Sequence, residues 1–322
     1  MLLTTDNLTP LWRWCLLSIA IITIGSAYRW FQHNRLMKRM RGFKNVKIIK
    51  AALQKLFLGL LPSGVSEFSK DLTFSLEELN FEGDKTIWVQ KVARRIADHF
   101  GIITSTVVVT FRSDLQAPGC VELSPSSEFF VDLRSDLRDF PHEMIATLAH
   151  EVAHIFLFRK GIKMESVFEN EVLTDTAAVF LGCGAFILNG SSFTINWSGD
   201  TETSSLRKLG YLSVDEFGYV LAKRENYFKT RTQQKLNRGL PRKGYSAGRL
   251  RVRIEKILSR TLAMKKLFPI MSLFNKKRCG ADVDSKILFP CGFCGQQLRV
   301  PSLGKRLEAT CPVCRVKHIC YS

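Results

Sequence analysis

Two histidines and a glutamate have the types and the spacing needed to hold a metal ion and to use it. His150, Glu151 and His154 form the pattern H-E-x-x-H. No Gly or Pro interrupts residues 142–160, so a helix can run through the whole segment. Residues four apart share one helix face, so both imidazoles can bind one zinc ion while Glu151 reaches a water on it. The chemistry this predicts is metal-assisted hydrolysis, in which Glu151 takes the proton of zinc-bound water and passes it to the leaving amine.

The residues around this motif help to distinguish a metal site from a chance match. By composition alone the pattern arises in roughly one chain in a hundred of this length. Here apolar residues recur at helical spacing around it, which predicts a buried helix face. These residues are Ile145, Leu148, Val152 and Ile155. We therefore expect a core helix that presents both histidines.

Two carboxylates follow at short range. Glu171 and Asp175 lie four apart in an apolar stretch, residues 169–182, that is predicted to form a second helix. Glu171 can complete a His/His/Glu zinc site, and Asp175 can hold the second ring nitrogen of a ligand histidine. The alternative is that both acids are solvated charges on the helix surface.

The pattern N-E-x-x-T-D at residues 170–175, after H-E-x-x-H, resembles the gluzincins, the thermolysin-type clan of metallopeptidases. That resemblance implies that His150, His154 and Glu171 are zinc ligands. It also implies that Glu151 is the general base and that Asp175 is the partner of His150.

Residues 85–225 look still closer to a group of uncharacterised bacterial proteins. These share H-E-[LV]-A-H, L-T-D, F-L-G-x-G-x-F and G-Y-L…F-G-Y-x-L-A, and each motif is present here. The likeness implies a fold and a metal site more firmly than a substrate, because the group has no assigned reaction.

The order of predicted elements also resembles a zinc metallopeptidase core. A helix at 86–100 precedes strands at 105–111, 120–123 and 129–133, and the metal-bearing helix follows. We therefore expect an α+β, zincin-like fold, a small sheet with active-site helices. In that family an edge strand beside the site pairs with an extended substrate. The sequence does not show which strand is the edge.

The departures from thermolysin are large. The domains that line its cleft have no visible counterpart, and no residue matches its oxyanion-stabilising histidine. Tyr211 and Tyr219 are candidate electrophiles in its place, although a core or interface role is the competing interpretation for both.

An apolar run at residues 11–31 predicts a single transmembrane anchor, with Trp and Tyr near both ends. A cleaved signal peptide and a buried N-terminal helix are the alternatives. Residues 29–66 carry nine Lys/Arg and no acid, which places the rest of the chain in the cytoplasm by the positive-inside rule. We therefore expect a single-pass protein of the bacterial inner membrane.

The chain has 322 residues, a hydrophobic content of 46% and a net charge of +18, so it can build a core and suits acidic partners. Residues 32–66 are predicted to form a basic amphipathic segment that lies on anionic lipid or packs on the globular domain. Residues 223–266 hold fifteen Lys/Arg against two Glu. A solvated helix near an anionic membrane is the favoured interpretation, and nucleic-acid binding is the alternative.

Four cysteines near the C-terminus predict a second, structural zinc. They form two C-x-x-C pairs sixteen residues apart, resembling small zinc-ribbon modules: Cys291, Cys294, Cys311 and Cys314. His318 and Cys320 lie close enough in sequence to compete as ligands. Cys15, Cys120, Cys183 and Cys279 are expected to be free thiols, in a reducing compartment.

These patterns divide the chain into an N-terminal tail (1–10), the anchor (11–31), the basic segment (32–66), a zincin-like domain (67–225), a basic helical region with a linker (226–286) and the ribbon (287–322). The first hypothesis is a membrane-anchored zinc metallopeptidase with two zinc ions, acting on a protein or peptide. A non-catalytic metal-binding scaffold and a nucleic-acid-associated protein using the ribbon are the alternatives.

Overall fold

The order of the helices and strands follows the sequence-based expectation of mixed, α+β structure. The computed structural model describes residues 42–78, 83–102, 105–191, 193–198, 201–206, 210–263, 286–291, 293–294, 296–301 and 306–321. The elements are α1 (Val46–Gly64), α2 (Lys85–His99), β1 (Thr106–Arg112), β2 (Gly119–Val121), β3 (Glu128–Arg134), α3 (Pro141–Arg159), α4 (Val167–Ala178), α5 (Gly184–Gly190), β4 (Phe193–Ser198), β5 (Thr201–Leu206), α6 (Val214–Phe228), α7 (Leu240–Ala263), β6 (Lys286–Pro290), β7 (Gln297–Pro301), β8 (Arg306–Thr310) and β9 (Lys317–Tyr321).

The motif-bearing helix, α3, lies at the centre of the fold. It contacts α2, α4, α5, β2 and β3. Most of its residues are buried, among them the four apolar positions that predicted its core face. The prediction of a helix over residues 142–160 is confirmed to within one residue at each end. A helix with neighbours on several sides holds its side chains in fixed positions, which is what a binding site requires.

A three-stranded sheet lies beside α3, in the order β1-β3-β2. β1 runs parallel to β3, and β2 runs antiparallel to it. The two outer strands differ in how their open sides are used. The side chain of Gln90 binds the open side of β1, bonding to the carbonyl of Val107 and accepting from the N–H of Val109 at 3.0 Å. The open side of β2 has no such cover among the described residues.

The sequence leaves two possible contacts for the apolar side of helix α1, anionic lipid or the globular domain. Ile49, Leu53 and Leu56 are wholly buried, and α1 packs against α4. The apolar side of this basic helix therefore packs on the globular domain. The helix continues to Gly64, with Pro62 in its last turn. A proline near a helix C-terminus removes one backbone donor without preventing the earlier turns from forming.

The second predicted helix is interrupted. α4 ends at Ala178, and a π-helical turn, Val179–Cys183, leads into α5. The carbonyl of Phe180 in this turn accepts a hydrogen bond of 2.9 Å from Arg224, which is fully buried. Arg224 also donates to the carbonyl of Phe68 at 2.8 Å and pairs with Asp71. A buried arginine thus links α6 to the turn that follows α4.

Among the described residues, one stretch is long and apolar enough to cross a membrane. It is Val167–Gly190, with a mean hydropathy of 1.6, and 89% of its most apolar window is buried inside the protein. Since a core helix has the same properties, this is a weak membrane signal. The predicted anchor at 11–31 lies outside the described residues, as do residues 264–285, which include most of the predicted linker, and Cys15 and Cys279.

The C-terminal region consists of two β-hairpins, β6–β7 and β8–β9. It packs on the helices: β9 contacts α7, and the Gln54 amide donates to Gln296 at 2.6 Å. Helix α7 packs along α6 and begins at Leu240, whereas the spacing of apolar residues in the sequence predicts a helix only from Arg249. The predicted domain boundary at 225/226 falls within α6.

Candidate metal centres

The structure brings His150, His154 and Glu171 together at one point between α3 and α4. Their three ligand atoms form a near-equilateral triangle: the two Nε2 atoms are 3.1 Å apart, and Glu171 Oε2 lies 3.2 and 3.3 Å from them. Ligands about 2.0–2.1 Å from a tetrahedral zinc ion lie about 3.3 Å from one another. The donor set and its spacing therefore fit a zinc ion with one position left open.

Each imidazole is oriented by a second bond on its other nitrogen. His150 Nδ1 donates to Asp175 Oδ1 at 2.8 Å, and His154 Nδ1 lies 3.2 Å from Thr174 Oγ1. Thr174 Oγ1 in turn donates to the carbonyl of Asn170 at 2.9 Å, so it accepts from the imidazole. Nδ1 of each ring therefore carries a proton, and Nε2 is the nitrogen that a metal would bind.

Asp175 is itself fixed by the chain that precedes α6. Its Oδ2 accepts the N–H groups of Tyr211 at 2.7 Å and Leu212 at 3.0 Å. Gly210 allows this approach: its φ is +87°, and a Cβ there would lie 2.5 Å from Asp175 Oδ1. The G-Y-L motif of the sequence is therefore a support for the carboxylate that holds His150.

Opposing effects set the protonation of the cluster. Burial favours neutral His150, but its hydrogen bonds to Asp175 and Glu171 outweigh this and raise its pKa well above the usual value. Burial also acts to raise the pKa of Glu171, and the bonds from His150 and His154 lower it to about 2. Glu171 is therefore ionised at neutral pH, the state a metal ligand needs.

Glu151 lies beside the triangle and is only 6% exposed. Burial raises its pKa, the two histidines oppose the shift, and the charges of Glu171 and Asp175 add to it. The side chain lies against β2, because a Cβ on Gly119 would be 2.8 Å from Glu151 Oε1. The next residue on β2, Cys120, is exposed, and partial burial together with the charge of Glu151 raises its pKa.

The two tyrosines are in different places. Tyr211 is 42% exposed, and its pKa is raised by partial burial and by the nearby charges of Glu171 and Asp175. The Tyr219 hydroxyl instead donates to the carboxylate of Glu255, in a buried network between α6 and α7. Tyr211 therefore lies close enough to the cluster for its charges to raise the pKa of the hydroxyl. The Tyr219 hydroxyl is instead hydrogen-bonded to Glu255.

The four C-terminal cysteines form the second cluster, and all are buried. Cys291 Sγ lies 3.5 Å from Cys314 Sγ, and Cys294 Sγ lies 3.7 Å from Cys311 Sγ. Sulfur atoms about 2.3 Å from a tetrahedral zinc lie about 3.8 Å apart. Hydrogen bonds from Cys294 and Cys314 lower the pKa of Cys291, and the bond to Cys291 raises that of Cys294 to about 12.

This cluster is compatible with a closed, ribbon-like zinc site, in which four thiolates would leave no open position. His318 Nε2 lies 3.1 Å from Cys291 Sγ, so it contacts a ligand from outside the set of four. Cys120 and Cys183 are free thiols, and burial raises the pKa of Cys183.

Two contributions were missed by the sequence reasoning. In the sequence, Thr174 stands out only as part of the family pattern. Thr174 lies four residues after Asn170 and close to the helix face of Glu171 and Asp175, so a bond to His154 could have been expected. The sequence contains no signal for the hydrogen bonds of Gln90 to the edge of β1, because a glutamine on a helix is most often solvated.

Comparison with protein-family models, with curated proteins and with solved structures gives no match.

Replacing Asp175 by Asn is expected to weaken zinc binding at the His/His/Glu site by about 10- to 100-fold, the usual effect of losing a ligand's hydrogen-bonding partner. The Asn NH2 must face either His150 Nδ1 or the N–H groups of Tyr211 and Leu212. Competition with a chromogenic chelator measures the affinity. Asp114→Asn, on an exposed carboxylate, is the matched control, and equal affinity in the two variants would contradict the role of Asp175.

Proposed function

We propose that the chain is a membrane-anchored, zinc-dependent metallopeptidase that hydrolyses peptide bonds. The observation that carries this proposal is the triangle of His150, His154 and Glu171, with the buried carboxylate of Glu151 beside it. Three protein ligands with one open position are typical of a catalytic zinc site, whereas the four-cysteine cluster is typical of a structural one.

A zinc ion held by these ligands would lower the pKa of a bound water to about 7 and polarise a carbonyl. Glu151 is placed to accept the proton released and to deliver it to the departing amine. Its raised pKa supports this role, because a general base works best when its pKa lies near the working pH. Asp175 and Thr174 keep the two imidazoles oriented during turnover.

The sheet supports an extended peptide as the substrate. In the β2–β3 ladder, Pro118 and Glu122 bond to β3 at 2.9 and 3.1 Å. Since bonded and non-bonded residues alternate, the peptide groups of Gly119 and Val121 face the open side of β2. A substrate strand added there would pass Glu151, whose carboxylate adjoins Gly119. The covered side of β1 leaves β2 as the edge for such pairing.

Replacing Glu151 by Gln is the test of the proposal. The amide has nearly the same shape but cannot accept the proton, so we expect peptide hydrolysis to fall by about 10²- to 10⁴-fold. The zinc content should remain at two ions per chain, because Glu151 is not a ligand. Turnover of a fluorogenic peptide library and metal analysis are measured on the same full-chain preparation in detergent.

Glu143→Gln is the matched control, a buried glutamate two helical turns earlier on α3. The proposal is wrong if Glu151→Gln keeps wild-type turnover with its zinc bound. A wild-type chain that binds two zinc ions and cleaves no peptide would favour the non-catalytic scaffold.

A further inference from the structure

A groove of about 580 Å³ lies between α6, α7 and the segment that joins them. Four basic side chains line it: Arg231, Arg249, Arg253 and Lys256. The last three follow one another at spacings of four and three, so they share one face of α7. Arg231 comes from the joining segment, so cations from two parts of the chain line the same space.

Two of these cations, Arg231 and Arg253, have little opposing charge. No acidic group among the described residues lies within ion-pair distance of Arg231 or Arg253, and both are exposed. One acid, Glu225, also lines the groove. Its two oxygens are taken by the N–H of Thr232 and by the hydroxyl of Tyr245. The groove therefore has a net positive charge and free guanidinium donors, which suit a phosphate group.

The apolar lining indicates which phosphate compound fits. Val252 and Ile257 line the same groove, and Ile257 is 53% exposed. Among the described residues that line the groove, the one aromatic ring, Tyr245, is 2% exposed and so provides no surface for base stacking. Cations beside an exposed aliphatic side chain suit an amphiphile with a phosphate headgroup.

We propose that this groove binds the headgroup of an anionic phospholipid, with Arg231, Arg249 and Arg253 on the phosphate and Ile257 toward the acyl chain. The inference goes beyond the proposed function and does not depend on the His/His/Glu site. It would fix one face of the domain against the membrane.

The test compares the full chain in nanodiscs of phosphatidylcholine alone with nanodiscs containing about one-third phosphatidylglycerol. Hydrogen exchange of peptides covering residues 230–235 and 245–257 is measured in each. We expect exchange to slow about tenfold with phosphatidylglycerol, since each arginine near an anionic surface adds appreciable binding energy. The double variant Arg249→Gln/Arg253→Gln should lose this protection.

The charge-matched control is Lys160→Gln/Lys163→Gln, on exposed lysines after α3, and it should keep the protection. Inorganic phosphate and a single-stranded oligonucleotide are added separately to the phosphatidylcholine nanodiscs. Equal protection by phosphate alone would show a general anion site, and protection by the oligonucleotide alone would show a nucleic-acid groove. Either result overturns the proposal, as does equal loss of protection in both double variants.

Discussion

Replacing Glu171 by Ala should leave the chain with one zinc ion instead of two and abolish peptide hydrolysis. Glu171 Oε2 is the only carboxylate oxygen of the triangle, and the remaining pair of imidazoles forms an incomplete site. Losing a ligand should reduce zinc affinity by more than about 100-fold, the upper end of the effect of losing a ligand's partner. Zinc content after dialysis and peptide turnover are the measurements.

The ribbon zinc serves as the internal standard in this experiment, because Glu171 takes no part in the four-cysteine cluster. Glu165→Ala, on an exposed glutamate just before α4, is the control and should retain two zinc ions and full turnover. If Glu171→Ala also retains two zinc ions, Glu171 is not a ligand and the assignment of the site fails.

Replacing Cys311 by Ser is expected to release the ribbon zinc and also to destabilise the helical core. The reason is the position of Phe293, which lies between Cys291 and Cys294 and is 3% exposed. Its ring centre is 5.3 Å from that of Phe57 on α1, 5.2 Å from that of Tyr227 on α6 and 6.2 Å from that of Phe180 after α4. Without zinc, the C-x-x-C segment that carries Phe293 cannot hold this ring in place.

Loss of such a ring should lower the free energy of unfolding by about 3–5 kcal/mol, as truncation of a buried Phe does. Thermal unfolding of the full chain, followed together with zinc content, measures this. Phe293→Ala should reproduce the destabilisation while keeping the zinc, and Cys120→Ser should change neither. An unchanged unfolding temperature in a zinc-depleted Cys311→Ser variant would mean that the ribbon folds and functions independently of the core.

The elements with strong local signals were predicted well. Helix α3 combines continuous apolar periodicity with the absence of Gly and Pro, and the paired C-x-x-C spacings predict the four-cysteine cluster. The triangle follows from the same logic, because His150, His154 and Glu171 each lie on a helix face whose spacing the sequence defines. The assigned roles of these residues in binding and catalysis remain predictions.

What the sequence could not predict depends on contacts between distant residues. The docking of the ribbon includes Phe293, whose burial against α1 and α6 has no local signal. The buried pair of Tyr219 and Glu255 links positions 36 residues apart, so Tyr219 could not be separated from Tyr211 as a site residue. The start of α7 was missed because Gly244 and Gly248 lower helix propensity where tight packing on α6 requires them.

The difference between the two outer strands of the sheet also limits how copies of this protein can associate. Open-ended polymers built by strand pairing need two free edges on each molecule, one to give and one to receive. Gln90 occupies the carbonyl of Val107 and the N–H of Val109 on β1, so the open side of β2 is the less obstructed edge of this sheet. Two copies joined through β2 would each cover this edge, so pairing through β2 alone would give a closed dimer and not an open-ended polymer.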